Sequence, residues 1–197
     1  MTATQNAFDR AVAQMDAVNA TDPNRVSFNG AEYGDVQLHA KRLQQWIRKL
    51  NPHASEALLL ASHCQHIRRW DIPRADFPMN RKGYLQWRST LARHHADCSE
   101  SILKEVGYDD DIIRQVRTIN LKTNRATNPD VQTMEDALCL VFLEFEAARF
   151  AAGYADEKMM DILRKSWNKL SKRGREMALG LELDDHLASL IRRALEA

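Results

Sequence analysis

Apolar residues recur three and four positions apart along most of this chain, the spacing that turns one face of a helix toward a core. Phe8, Val12, Met15 and Val18 keep that spacing in a first segment. Val36, His39, Leu43, Trp46, Ile47 and Leu50 keep it in a second, with Asp35 placed to cap the helix and His39 carried on the inward face. Between them TDPNRVSFNGAEYGD, punctuated by Pro23, Gly30 and Gly34, reads as a long loop. Asn51 and Pro52 form a cap and first-turn pair for a third helix over about 53–70, through EALLLASHCQHIRRW. Pro73 and Pro78 impose an irregular stretch over 71–80. Tyr84, Trp87, Leu91, His94 or His95, Cys98, Ile102 and Val106 then mark a long helix that stops at Gly107.

Ile112, Ile113, Val116 and Ile119 predict a helix over 109–120, followed by the polar loop KTNRATNPD. Thr133, with Asp136 in capping-box position, starts an apolar helix of body ALCLVFLEF that should pair with the helix at 53–70. Two more are expected over 156–170 and 184–196, on Met159, Ile162, Leu163 and Trp167, then on Leu187, Leu190, Ile191 and Ala194. No stretch alternates with period two. The predicted fold class is all-α, a single domain of about eight helices.

Composition narrows this picture only slightly. A chain of 197 residues supports one sizeable core. Seven glycines and five prolines argue against a turn-rich β fold. The longest apolar run, 137–143, falls far short of the ~20 residues of a membrane helix. The first residues lack the basic start and apolar centre of a secretory signal, so a cytoplasmic protein with no membrane partner is expected. Cys64, Cys98 and Cys139 lie in apolar stripes with no CxxC pair, the pattern of reduced, buried thiols.

Charge changes the picture more. The net charge is +1, yet Arg68, Arg69, Arg74, Arg81, Lys82, Arg88 and Arg93 crowd 65–93 against only Asp71 and Asp76. Such a local excess suits a small anionic ligand, phosphorylated or nucleotide-like, and gives little attraction to extended nucleic acid. Arg68, Arg69, Arg74 and Arg88 offer guanidinium forks for phosphate or carboxylate, and Trp70, Tyr84 and Trp87 offer faces for a flat base or a guanidinium. Gln65 and Lys122 complete the expected binding set. Set against this is the plainer reading of a solvated basic face, with tryptophans plugging the core. The same residue types are enriched at interfaces, so a homo-oligomer is a further expectation.

His39, His63, His66, His94, His95 and Asp136 each fall on or beside a buried stripe, and four helices can bring such groups to one point of a core. His63 and His66, three apart, face the same way on a helix. A lone inward histidine is more often a satisfied core residue than a ligand; the coincidence of several is what raises the expectation. Glu135, His63 and His95 are the acid–base candidates. No GxGxxG or GxxxxGK[ST] occurs, which excludes the glycine-rich phosphate loops. Cys64 stands beside His63, but adjacent helical side chains diverge, so a Cys–His couple is not expected.

The order of these elements, a helix with His39, then ASHCQHI, then RHHADCSESILKEVGY, then EDALCLVFLE, resembles the HD-domain metal-dependent phosphohydrolases. The resemblance implies an HD-like helical fold, and a hydrolase (or lyase) in which a divalent ion (Mn, Fe, Mg or Zn) activates water. His39 matches its first histidine and Asp136 its last aspartate. The His-Asp pair between them is replaced, His66 standing at the aspartate position and Gln65 at the histidine position. The implied metal set is therefore His39, His66 and Asp136, with His94 or His95 at the place of an extra histidine and Lys122 near another. Over nearly its whole length the chain also resembles an uncharacterised bacterial and fungal domain family marked by QHxxRWxxPR, GYxxWR and QxxEDxxCLVFLE. Here these stand at Gln65, His66, Arg69, Trp70, Pro73 and Arg74, then Gly83, Tyr84, Trp87 and Arg88, then Gln132, Glu135, Asp136 and Cys139. The alternative to an enzyme is an HD-like module, without its metal, that binds the anion and does not turn it over.

Overall fold

The computed structural model describes residues 6–196. Among them ten α-helices and one two-stranded hairpin follow in the order α1 (Ala7–Ala20), β1 (Arg25–Phe28), β2 (Ala31–Gly34), α2 (Asp35–Leu50), α3 (Glu56–Cys64), α4 (Arg81–Val106), α5 (Asp110–Leu121), α6 (Pro129–Val141), α7 (Ala147–Gly153), α8 (Asp156–Trp167), α9 (Lys172–Leu179) and α10 (Asp185–Glu196). The all-α class holds, with more helices than the eight expected.

α3 is the axis of the packing. Ala57, Leu58, Leu60, Ala61, Ser62, His63 and Cys64 are all buried in it, and α1, α2, α4, α5 and α6 surround it. Its pairing with α6 is as expected, though α6 lies more extensively along α2. Ser55 caps α3 by accepting from the Leu58 N–H at 3.0 Å, so the helix begins at Glu56 and not at the Asn51-Pro52 pair. α3 also ends earlier than the apolar pattern suggests. Beyond Cys64 the chain turns, and Arg68 takes a left-handed conformation (φ +54°) before two short 3₁₀ turns at Arg69–Asp71 and Arg74–Asp76.

The long loop of the sequence is mostly a hairpin. Asn29 (φ +50°) and Gly30 (φ +76°) make the turn, and Val26 pairs with Tyr33. Both positive φ angles match the two-residue turn that an Asn-Gly dipeptide favours. Asp22 then ties the hairpin to α2, one carboxylate oxygen accepting from the Asn24 N–H and the other from the Val36 N–H, each at 2.9 Å.

α6 starts at Pro129 with Asn128 as its cap, a turn before Thr133. It runs into α7 through one π turn, Phe142–Glu146. α8 and α10 pair beside α7. α9 packs on α6 and α2. No helix among the described residues is long and apolar enough to cross a membrane. Cys64 and Cys139 are buried as expected, whereas Cys98 is only half-buried; all three are free.

The 68–80 segment is fixed from several sides. The Arg74 guanidinium donates to the carbonyls of Phe77 (2.9 Å) and Pro78 (2.8 Å), and the Trp87 indole donates to the Ile72 carbonyl at 2.9 Å. Gly83, in the first turn of α4, lies so close to this segment that a Cβ there would stand 2.1 Å from the Pro78 carbonyl oxygen. Gly83→Ala must therefore displace backbone, and is expected to lower stability by about 1–3 kcal/mol. Urea unfolding followed by circular dichroism measures this; an unchanged midpoint would contradict the close approach.

Candidate functional site

Three imidazoles meet where α3 ends. The ring centroid of His66 lies 4.3 Å from that of His39 on α2, and 5.9 Å from that of His95 on α4. His95, not His94, is the inward member of its pair. His94 faces Asp71, Nε2 to Oδ2 3.5 Å, and Cys98, Nε2 to Sγ 3.7 Å.

The outer ring nitrogens of His39 and His95 are fixed. His39 Nδ1 lies 3.5 Å from Glu146 Oε1, and His95 Nδ1 donates to the Ile67 carbonyl at 2.7 Å. Their Nε2 atoms are buried and have no hydrogen-bond partner. Gln65, also buried, has an unpartnered Oε1. Burial drives the His66 pKa well below its ordinary value, with His39, Arg69, His95 and Lys122 adding to the effect. Burial likewise takes His95 down to about 4, against the opposing pull of the Ile67 carbonyl. Both rings are neutral at pH 7, so a ring that donates through Nδ1 presents a bare lone pair at Nε2.

Cations lie beside these rings. Arg69 is half-buried, its guanidinium 4.7 Å from the Trp87 ring centroid, and that guanidinium makes no hydrogen bond or ion pair among the described residues. Burial and then Arg88 press its pKa down. Arg88 reaches only the Tyr84 hydroxyl, at 3.4 Å. Buried charge is ordinarily paired; the Arg69 guanidinium, with Asp35 and Glu146 near but not in ion-pair contact and the exposed Arg88 beside it, therefore marks a place for an anion.

Lys122, held in the left-handed conformation (φ +56°) at the end of α5, pairs with Glu135 at 2.9 Å, and Lys169 reaches the other oxygen of Glu135 at 3.0 Å. Burial alone would raise the Glu135 carboxyl, but the two lysines outweigh it and hold it at about 2. Burial lowers Lys122 despite Glu135. Glu135 is ionised at neutral pH. Glu135 thus sits between two lysines, and that contact orients them.

The remaining candidates have other partners. Asp136 Oδ1 accepts from Gln132 Nε2 (2.9 Å) and from the Ser171 N–H (2.8 Å), and its Oδ2 accepts from Ser171 Oγ (2.5 Å). Gln132 also donates to the Lys169 carbonyl at 3.0 Å. Gln132, Glu135 and Asp136 together seat the 168–171 segment on α6. Of the implied set His39, His66 and Asp136, the two histidines stack at 4.3 Å, whereas both Asp136 oxygens serve this seat. His63 turns away from His66 once α3 stops: its Nδ1 lies 2.8 Å from Asp16 Oδ1 and its Nε2 2.6 Å from Gln44, so both ring nitrogens are engaged. Arg68 is exposed and pairs with Asp71 at 2.7 Å. Arg74 holds the loop described above. Trp70 lines a shallow cleft with Asp35, Arg69 and Trp87, and Tyr84 is exposed. Among the described residues no three His, Cys, Asp or Glu side chains stand ready around one metal position.

Glu146 and Lys169 were not foreseen from the sequence. Glu146 reaches His39 because the π turn re-aims it, and its carboxyl, which burial would raise, is brought down by His39, Arg149 and Arg42. The only signal was a second acidic residue at the end of an apolar helix; Lys169 carried none.

The fold and site define a mostly helical domain with three imidazoles and several cations gathered at the end of its central helix. The chain belongs to the family described as Domain of unknown function (DUF4202), which matches residues 9–191. No curated protein and no solved structure matches it.

Glu135 links the site to acid stability. Its folded pKa lies below the unfolded value, so its contribution is complete above about pH 4.5 and is lost as pH falls toward 2. That contribution is on the order of 3 kcal/mol. Urea titrations at stepped pH should show this loss in the wild type and a flatter profile in Glu135→Gln; equal slopes would refute the two-lysine pairing.

Proposed function

We propose that the protein binds a small phosphorylated or nucleotide-like anion at the His39, His66 and His95 centre and hydrolyses its phosphoester. The observation that carries this reading is the Arg69 guanidinium: half-buried, unpaired among the described residues, and beside Arg88 and the neutral rings of His66 and His95. Arg69 and Arg88 offer forks for two phosphate oxygens, and Lys122, oriented by Glu135, offers a third positive charge. As negative charge builds on the phosphoryl oxygens, these fixed cations stabilise it without having to reorganise. His66 and His95 bring no charge of their own, which leaves ring lone pairs available.

The likeness to HD-type phosphohydrolases supplies the reaction class. A divalent ion, when bound, would lower the pKa of a water to give the nucleophile. His39 and His66 are the members of the implied set that face the site. The second reading, binding without turnover, draws support from Asp136, whose oxygens belong to Ser171 and Gln132.

Thermal shift with inorganic phosphate, pyrophosphate and nucleoside monophosphates, run beside a phosphate-release assay with and without Mn²⁺, tests both readings. A ligand at a hundred times its Kd should stabilise the wild type by about 2.7 kcal/mol. Arg69→Ala and Arg88→Ala should each abolish most of that gain. Stabilisation without phosphate release would favour the binding module. A ligand gain untouched by Arg69→Ala would remove the anion site itself.

A further inference from the structure

We propose that the cleft beside Arg69 takes the organic tail of the bound phosphoester, and that this tail carries an ammonium group seated on Asp35. The inference rests on the anion-site reading and names its ligand class: a phosphomonoester of a small amino alcohol, in preference to a nucleotide. Its starting point is one cleft lined by opposite charges that do not meet. Asp35, the first residue of α2, and Arg69 both line it, and its wall includes Trp70, Ile72, Pro73 and Trp87.

Asp35 lies near enough to Arg69 to act on its charge, yet the exposed Asp35 carboxylate makes no hydrogen bond or ion pair among the described residues. An acidic residue in the first turn of a helix is common for the sake of the helix dipole alone. Here the same residue lines a cleft, and the backbone holds it in place. Its N–H donates to the Asn24 carbonyl at 2.8 Å, and Asp22 ties down Asn24 and Val36 at 2.9 Å each. Gly34 packs so tightly that a Cβ would stand 2.6 Å from the Asn19 carbonyl oxygen. Arg42, the other cation near Asp35, is held over the Phe145 ring at 4.0 Å. The Arg69 side of the cleft is fixed by the Trp87 indole on the Ile72 carbonyl. A carboxylate and a guanidinium kept apart by rigid backbone suit a ligand that carries both charges.

Size decides between a short tail and a nucleoside. The cleft has a volume of about 170 Å³. A cavity of about 150 Å³ takes a benzene ring, whereas pockets that bury a drug-sized ligand run to about 300–1,000 Å³. A short aliphatic ammonium fits, and the Trp70 indole in the wall is a further attraction for a cation.

Calorimetric titration of the full-length protein with phosphoethanolamine, glycerol phosphate, adenosine monophosphate and inorganic phosphate tests the assignment, at low ionic strength because exposed ion pairs are screened by salt. The wild type should bind phosphoethanolamine roughly tenfold more tightly than glycerol phosphate, the combined effect of an exposed ion pair and a cation–π contact. Asp35→Asn should bring the two esters to equal affinity. The same variant should still bind inorganic phosphate, which shows that it has folded. Arg69→Ala should weaken every phosphate compound. Equal affinity for the two esters in the wild type, a preference that survives Asp35→Asn, or tighter binding of adenosine monophosphate than of phosphoethanolamine would overturn the proposal. Inorganic phosphate bound in an Arg69-dependent way, with no preference among the esters, would overturn it while the anion reading stands. Asp35-dependent binding of ethanolamine, with no binding of phosphate, would overturn the anion reading alone.

Discussion

The near-complete burial of α3 is the constraint on which the rest of the molecule depends. A helix packed on most sides meets solvent and ligand chiefly at its ends. The far end of α3 is where the chain turns through Gln65 and His66 into a segment fixed by Arg74 and Trp87. α2 and α4, packed beside α3, bring His39 and His95 to that same end. The candidate site thus lies where this largely buried helix gives out, with rings from its neighbours beside His66.

Around that point the polar residues divide by what they touch. Gln132, Glu135 and Asp136 seat the 168–171 segment, through Lys169, Ser171 and the Lys169 carbonyl. Arg74, Trp87 and Gly83 hold the 68–80 segment against α4. His63, with Asp16 and Gln44, joins α3 to α1 and α2. What remains once these structural duties are assigned is a small set: the three rings, Arg69, Arg88 and Lys122.

Much of this was legible in the sequence, because helical spacing survives in every strongly amphipathic segment and the site clusters in two short stretches. The elements that escaped were those whose signal is local and weak. The hairpin has four-residue strands that are almost wholly exposed, so no alternating apolar face marks it; the Asn29-Gly30 turn was the usable sign. α9 is only eight residues long and interrupted by Gly174, which lies against the Asp136 carboxylate. The early stop of α3 could not be read, since apolar spacing continues through Ile67 while the backbone has already turned. That stop separates His63 from His66, and the adjacency of Glu135 and Asp136 likewise concealed that one meets lysines and the other a serine.

The π turn at 142–146 gives the continuous rod from α6 to α7 an accommodated extra residue. Compared with a regular helix, everything after Val141 is phase-shifted by one position, about 100° of rotation. Glu144 meets the Trp46 indole at 2.7 Å and Glu146 meets His39 within that shifted frame. A lineage that lost a single residue here would keep an unbroken helix and every apolar residue before it, yet both carboxylates would leave α2. The length of this stretch, counted residue by residue, is therefore as informative a signature of the site as the identity of any side chain in it.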